Sequence, residues 1–102
     1  MAQETFLAPH IVARPGVRGG KPTLDTIAIT VDSIAVWHER MGMSVEEIVA
    51  NYDVTPAQVH AALAFYLDHK AEIDRRIEDD EMEAARLRAQ HPSRLARRVA
   101  GD

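Results

Sequence analysis

The sequence contains no cysteine, which removes disulfides, thiolate nucleophiles and cysteine-ligated zinc together and fits a reducing compartment. A cytoplasmic protein is therefore expected. Aromatic residues are 5% of the 102 positions against 46% hydrophobic in all, so a core must be built from aliphatic side chains and alanine, as in small helical domains. No stretch approaches the ~20 apolar residues of a membrane span, and MAQETFLAPH has neither the basic start nor the apolar run of a signal peptide. No membrane role is expected. An excess of positive charge is missing too: the net charge is −4, which argues against a protein that coats nucleic acid without specificity.

Signals for catalysis are equally scarce. His10, His38, His60, His69 and His91 show no HExxH pattern and no i, i+4 pairing, so metal ligation has nothing to rest on. RPGVRGGK has neither the spacing of a P-loop nor a Ser or Thr after its lysine. The dense run EDDEME, Glu78 to Glu83, lacks the spacing and central glycine of a calcium loop and reads as a solvated helical face. No enzyme activity, metal or cofactor is expected.

What is present is an ordered set of element signals. Gly16, Gly19 and Gly20 lie in the first 26 residues with Pro9, Pro15 and Pro22, so ARPGVRGGKPTLDT reads as turn and arm. Two extended pieces flank it: HIVA, His10 to Ala13, and TIAITV, where Ile27, Ile29 and Val31 alternate as in a half-buried strand. A two-stranded element is marginal alone and needs a helix or a second subunit over its apolar face; a homodimer is expected on that ground. Helical spacing then begins with Val31, Ile34, Ala35, Trp37, His38 and Met41, closed by Gly42. Ser44 with Glu47 forms a capping box for a second helix that ends near Tyr52. Thr55 caps a third, with Pro56 at its first position and Gln58 completing another box. Two capped helices joined by a short turn predict a helix–turn–helix.

The third helix meets no glycine or proline until His91-Pro92, so the spacing predicts one helix of ~35 residues, ~50 Å long. Leu63, Tyr66, Lys70, Ile73, Ile77, Asp80, Ala84 and Leu87 form a heptad-like seam along it. On this reading Ile73, Ile77 and Leu87 project beyond a three-helix core and need a partner. The competing reading is a solvated, salt-bridged helix. Trp37, Ile48, Tyr52, Phe65 and Tyr66 sit at helical spacing and are expected in the core. The expected division is 1–30 as arm and β-element, 31–70 as helix–turn–helix and 71–102 as partner-binding helix and basic tail.

PGVRGGKPTL, ITV, GMSVEEIVANY and VTPAQVHAALAFYLDH, followed by the acidic helix, resemble the bacterial domain-of-unknown-function family 433 over roughly Ile11 to Leu87. A departure stands at Thr26, Ile27 and Ala28, where members usually read Gly-Thr-Arg. The resemblance implies a mainly α, homeodomain-like three-helix fold with a small N-terminal β-element and a long C-terminal helix. It further implies an antitoxin of the VapB type, which binds and inhibits a PIN-like ribonuclease toxin and autoregulates by binding operator DNA. The alternative is a stand-alone helix–turn–helix regulator whose long helix is a coiled-coil dimerisation seam. A structural adaptor without a nucleic-acid role is a third reading.

For DNA, the expected contacts are Thr55, Gln58 and His60 at the start of the third helix, with Arg14, Arg18 and Lys21 as a flexible basic arm. For the partner they are Lys70, Ile73, Ile77, Ala84, Arg86, Leu87 and Arg88. Clustered carboxylates hold metal in a PIN-type nuclease, and a bidentate arginine laid over them displaces it. Arg94, Arg97 and Arg98 form a basic end beyond Pro92.

Overall fold

The glycine- and proline-rich opening folds into a sheet rather than an arm. In the computed structural model, which describes residues 3–90, β1 (Thr5–Ala8), β2 (Ile11–Ala13) and β3 (Thr23–Leu24) form an antiparallel sheet in the order β1-β2-β3. The expected strand at HIVA is β2. The expected strand TIAITV does not form: Thr30 makes only an isolated bridge to Thr23, and Val31 already begins a helix. The cause is local, because Thr30 Oγ1 accepts the Ser33 N–H at 3.0 Å and so caps the helix, ending the extended run. Ile11 and Leu24 are fully buried in the same cluster as the helical core. The chain's own helices therefore cover β2 and β3, while β1 stays largely exposed.

Four α-helices follow among the described residues. α1 (Val31–Ala35) continues as a π-helical turn, Val36–Arg40, and Gly42 leaves it with φ 74°. α2 (Val45–Asn51) and α3 (Pro56–Asp68) both carry the capping boxes expected from Ser44 with Glu47 and from Thr55 with Gln58. Each box satisfies two backbone N–H donors at a helix start that otherwise lack partners.

The predicted single helix of Pro56 to Gln90 is two helices. His69 leaves the helical region at φ −126°, ψ 32°, its N–H shared between the Phe65 and Tyr66 carbonyls, and α4 (Lys70–Gln90) starts after this bend. Neither glycine nor proline marks the bend, so its cause is tertiary. Ile73 and Ile77 are 0% and 4% exposed and belong to the core with Ile34, Val59 and Tyr66. Burying two isoleucines contributes ~1.5–3 kcal/mol each, whereas a disrupted backbone hydrogen bond at the joint costs a net ~0.5–1.5 kcal/mol. Burial wins. The expectation that Ile73 and Ile77 project past their own fold is overturned, and the core is shared by β2, β3 and all four helices.

Two polar contacts fix the returning helix. Arg76 donates from Nε and Nη2 to the two carboxylate oxygens of Asp32, at 2.8 and 2.7 Å, and joins α4 to the start of α1. Asp32 is 8% exposed and Arg76 28% at the side chain, so this is a largely desolvated bidentate pair. At the bend, Asp74 accepts from the Tyr66 hydroxyl at 2.6 Å and from Lys70 Nζ at 2.7 Å. These bonds, Lys70 first, hold the Asp74 carboxyl below its ordinary range, and burial pushes the Tyr66 phenol up. Glu47 is likewise lowered, by the Ser44 backbone N–H it accepts in the capping box.

Ile73→Ala is expected to cost ~2–5 kcal/mol in urea denaturation, whereas Leu87→Ala, on the exposed end of the same helix, stays within ~0.5 kcal/mol; equal effects at the two positions refute the bend. Because Asp74 and Glu47 have folded-state pKa values below their unfolded ones, the stability they contribute is complete above the ordinary carboxylate range. It is lost as pH falls through their lowered values. Asp74→Asn is therefore expected to lower the melting temperature at neutral pH and to flatten its decline on acidification; an unchanged slope removes Asp74 from the acid response.

Candidate functional site

Gln58, one of the side chains expected to read bases, is turned inward. Its Oε1 accepts the Thr55 N–H at 2.9 Å, and its Nε2 donates to Thr26 Oγ1 at 2.6 Å and Asp25 Oδ1 at 3.2 Å. With 4% exposure and a fully occupied amide, it clamps α3 to the loop after β3. A position that completes a capping box beside a packed loop cannot also face a groove of DNA. Thr55 Oγ1 accepts the Gln58 N–H at 3.1 Å, and His60 is exposed. The exposed residues of α3 are Pro56, Ala57, His60, Ala64, Leu67 and Asp68, a surface without a permanent positive charge.

The basic arm is also tied down. Arg14 donates from Nε to Glu4 Oε1 at 2.8 Å and from Nη2 to the Asp25 carbonyl at 2.6 Å. Lys21 Nζ lies 3.0 Å from Asp80 Oδ2 on α4, and Arg18 Nε donates to the Ala28 carbonyl at 2.9 Å. The expectation of a flexible arm is corrected on physical grounds: Arg14 directly follows β2, and a turn of 3-10 helix over Arg18–Gly20 returns the chain to β3. Backbone pairing on both sides leaves these side chains anchored within the fold.

On α4 the expected partner residues divide. Lys70 is engaged with Asp74, and Ile73 and Ile77 are interior. Asp80 and Glu81 are held by Lys21 and by Arg40, the latter at 2.8 Å. Beyond this point support ends: Ala84 is half-buried, and residues 85–90 are all exposed. Leu87 is 45% exposed, Arg86 pairs with Glu83 on its own helix, and Arg88 has no carboxylate partner among the described residues. Arg94, Arg97 and Arg98 lie outside the described residues.

Sequence reasoning missed two features. Tyr52, expected in the core, lies at the surface with its ring stacked on Trp37, centroids 3.9 Å apart and planes 7° from parallel. The π turn that places Trp37 has no signature in the sequence, whereas the end of α2 at Tyr52 is legible. Phe6 and Leu7 stand exposed on β1, an edge strand; their position within the short run TFLA is the only hint. Among the described residues no helix is long and apolar enough to cross a membrane, and no three His, Asp or Glu side chains gather into a metal-binding group.

Comparison with curated proteins and with solved structures returns no match. The family described as Protein of unknown function (DUF433) matches residues 11–66, from β2 to the Tyr66 turn of α3. That is narrower than the span of resemblance, Ile11 to Leu87, and leaves α4 outside, yet it covers more than half of the 102 residues. The chain belongs to the DUF433 family.

Proposed function

We propose that this protein is an inhibitory binding partner of the antitoxin kind, whose folded core presents the outer part of α4 to a PIN-like ribonuclease. The observation that carries the reading is the change in α4 along its length. Its first two turns are locked by Ile73, Ile77 and the Asp32 with Arg76 pair, while residues 85–90 are all exposed among the described residues. Ala84 and Leu87 continue the line of Ile73 and Ile77 onto that unsupported end. A helix held rigidly at one end presents its other end with little ordering cost on binding, which favours affinity. Arg86 and Arg88 flank Leu87 and suit the carboxylates that hold metal in such a nuclease. The interface is accordingly smaller than the sequence implied: Ala84, Arg86, Leu87 and Arg88 form it, without Ile73 and Ile77.

Operator binding is the second part of this proposal and has less support. α2 and α3 are two capped helices joined by a short turn, the arrangement of a homeodomain-like helix–turn–helix. Phosphate contact then falls to Arg14, Arg18 and Lys21, after Glu4 and Asp80 are exchanged for DNA. Exposed ion pairs of this sort are worth ~0–1 kcal/mol, so such an exchange is inexpensive. The coiled-coil regulator loses ground, because Tyr66, Ile73 and Ile77 of its seam lie inside the fold.

Co-expression with a PIN-like ribonuclease encoded beside this protein tests the reading. Leu87→Asp combined with Arg88→Ala is expected to abolish co-purification and restore RNA cleavage, with the melting temperature of the free protein unchanged. Full inhibition by this variant, or by the chain truncated after Glu81, refutes the α4 surface.

A further inference from the structure

An open groove of ≈ 560 Å³ lies between the 3-10 turn and the π turn, lined by Arg18, Lys21, Thr30, Ser33, Trp37 and Tyr52 together with residues 28–29. This volume lies in the range that small-molecule sites occupy. No carboxylate lines it, although acids outnumber bases in the chain, 16 to 12. Arg18 has no carboxylate partner among the described residues: only its Nε is spent, on the Ala28 carbonyl. Lys21 shares its charge with Asp80 at the edge of the groove. Ser33 Oγ accepts from Thr30 Oγ1 at 2.9 Å and keeps its own proton to donate. One wall carries the parallel Trp37 and Tyr52 rings.

Two backbone features set these groups in place at a local cost. Arg18 adopts φ 50°, followed by Gly19 at 67° and Gly20 at 80°. The glycines suit this left-handed path, but the arginine does not, and a glycine at 18 would relieve the strain. An arginine held there against its backbone preference puts a guanidinium at the groove mouth. The π turn, stabilised by bonds from Met41 N–H to the Val36 carbonyl and from Met43 N–H to the Trp37 carbonyl, sets Trp37 on the opposite side. Strained residues and π turns both concentrate at binding sites.

We propose that this groove binds a nucleotide, with the aromatic base against the Trp37 and Tyr52 wall and the phosphate on Arg18 and Lys21. The combination fits that chemistry on each count. A free inorganic anion has no use for the aromatic wall, and an uncharged aromatic has none for the two cations. Base stacking on aromatic side chains tolerates any base, and the planar guanidinium suits a phosphate. Ser33 adds a donor for a sugar hydroxyl or base edge. The same chemistry is offered by a free mononucleotide and by a nucleotide within a single strand. The site is separate from the outer end of α4 and stands or falls apart from the inhibitor reading.

Trp37 is the only tryptophan in the chain, so its fluorescence reports the site directly. Full-length protein titrated with adenosine monophosphate is expected to show saturable quenching, with adenosine and inorganic phosphate each binding more weakly. Arg18→Gly, which removes the cation where glycine suits the backbone, is expected to weaken adenosine monophosphate about tenfold with an unchanged melting temperature. Arg18→Gln serves as the second variant should the glycine loosen the turn. Tyr52→Ala is expected to weaken the nucleotide but not phosphate. An oligoadenylate that binds more tightly than the monomer assigns the site to a strand, and equal affinity assigns it to the free nucleotide; either supports the site. Absence of saturable quenching by both at millimolar concentration, phosphate binding as tightly as the nucleotide, or an Arg18→Gln titration that superimposes on the native one overturns it.

Discussion

Everything beyond α3 depends on the bend at His69. Were α3 and α4 one straight helix, Ile73 and Ile77 would stand in water and the core would lose its fourth wall. With the bend, both isoleucines are interior and Arg76 reaches Asp32 at the start of α1. No residue at the bend forces it, so the driving force is the apolar area removed from water, set against a slightly disturbed backbone ladder. The Asp32 with Arg76 pair then ties α4 to the start of α1. Burying such a pair contributes little net stability, but leaving either partner alone is costly, so its main effect is to exclude other dockings of the helix.

That arrangement divides α4 into two parts with different fates. The inner part completes the chain's own core, and the outer part leaves it. Between them, Lys21 with Asp80 and Arg40 with Glu81 fasten the helix to the 3-10 turn and to the end of the π turn. The acidic run EDDEME is thus partly structural, since two of its carboxylates bind cations of other elements and a third holds Arg86. The surface proposed for a partner begins where these fastenings end. A short rigid projection suits a protein that docks one helix turn or two into a partner, and the same fastenings shape the groove beside Trp37.

Much of the fold was legible because it rests on local chemistry. Both capping boxes, the proline at the start of α3, β2 at HIVA and the exit at Gly42 follow from interactions within four residues, and the structure contains them all. The sites were less legible. Gln58 looked like a base reader because its spacing from Thr55 says nothing about Asp25 and Thr26, which lie 33 and 32 residues away along the chain. Arg14, Arg18 and Lys21 looked mobile because glycine and proline surround them, yet strand pairing and long-range partners anchor all three. TIAITV alternated like a strand, but a single threonine cap ended it.

By itself, the sequence determined the helical class, the helix starts and the lack of cysteine chemistry, because capping, glycine conformation and composition act at short range. Only the tertiary structure decided that Ile73 and Ile77 face inward, that Arg76 meets Asp32 across 44 positions of chain, and that Trp37 and Tyr52 share one wall of a groove. The heptad spacing of the seam was compatible with burial in a partner or in the same chain. Helical periodicity marks which face is apolar and is silent on what covers it.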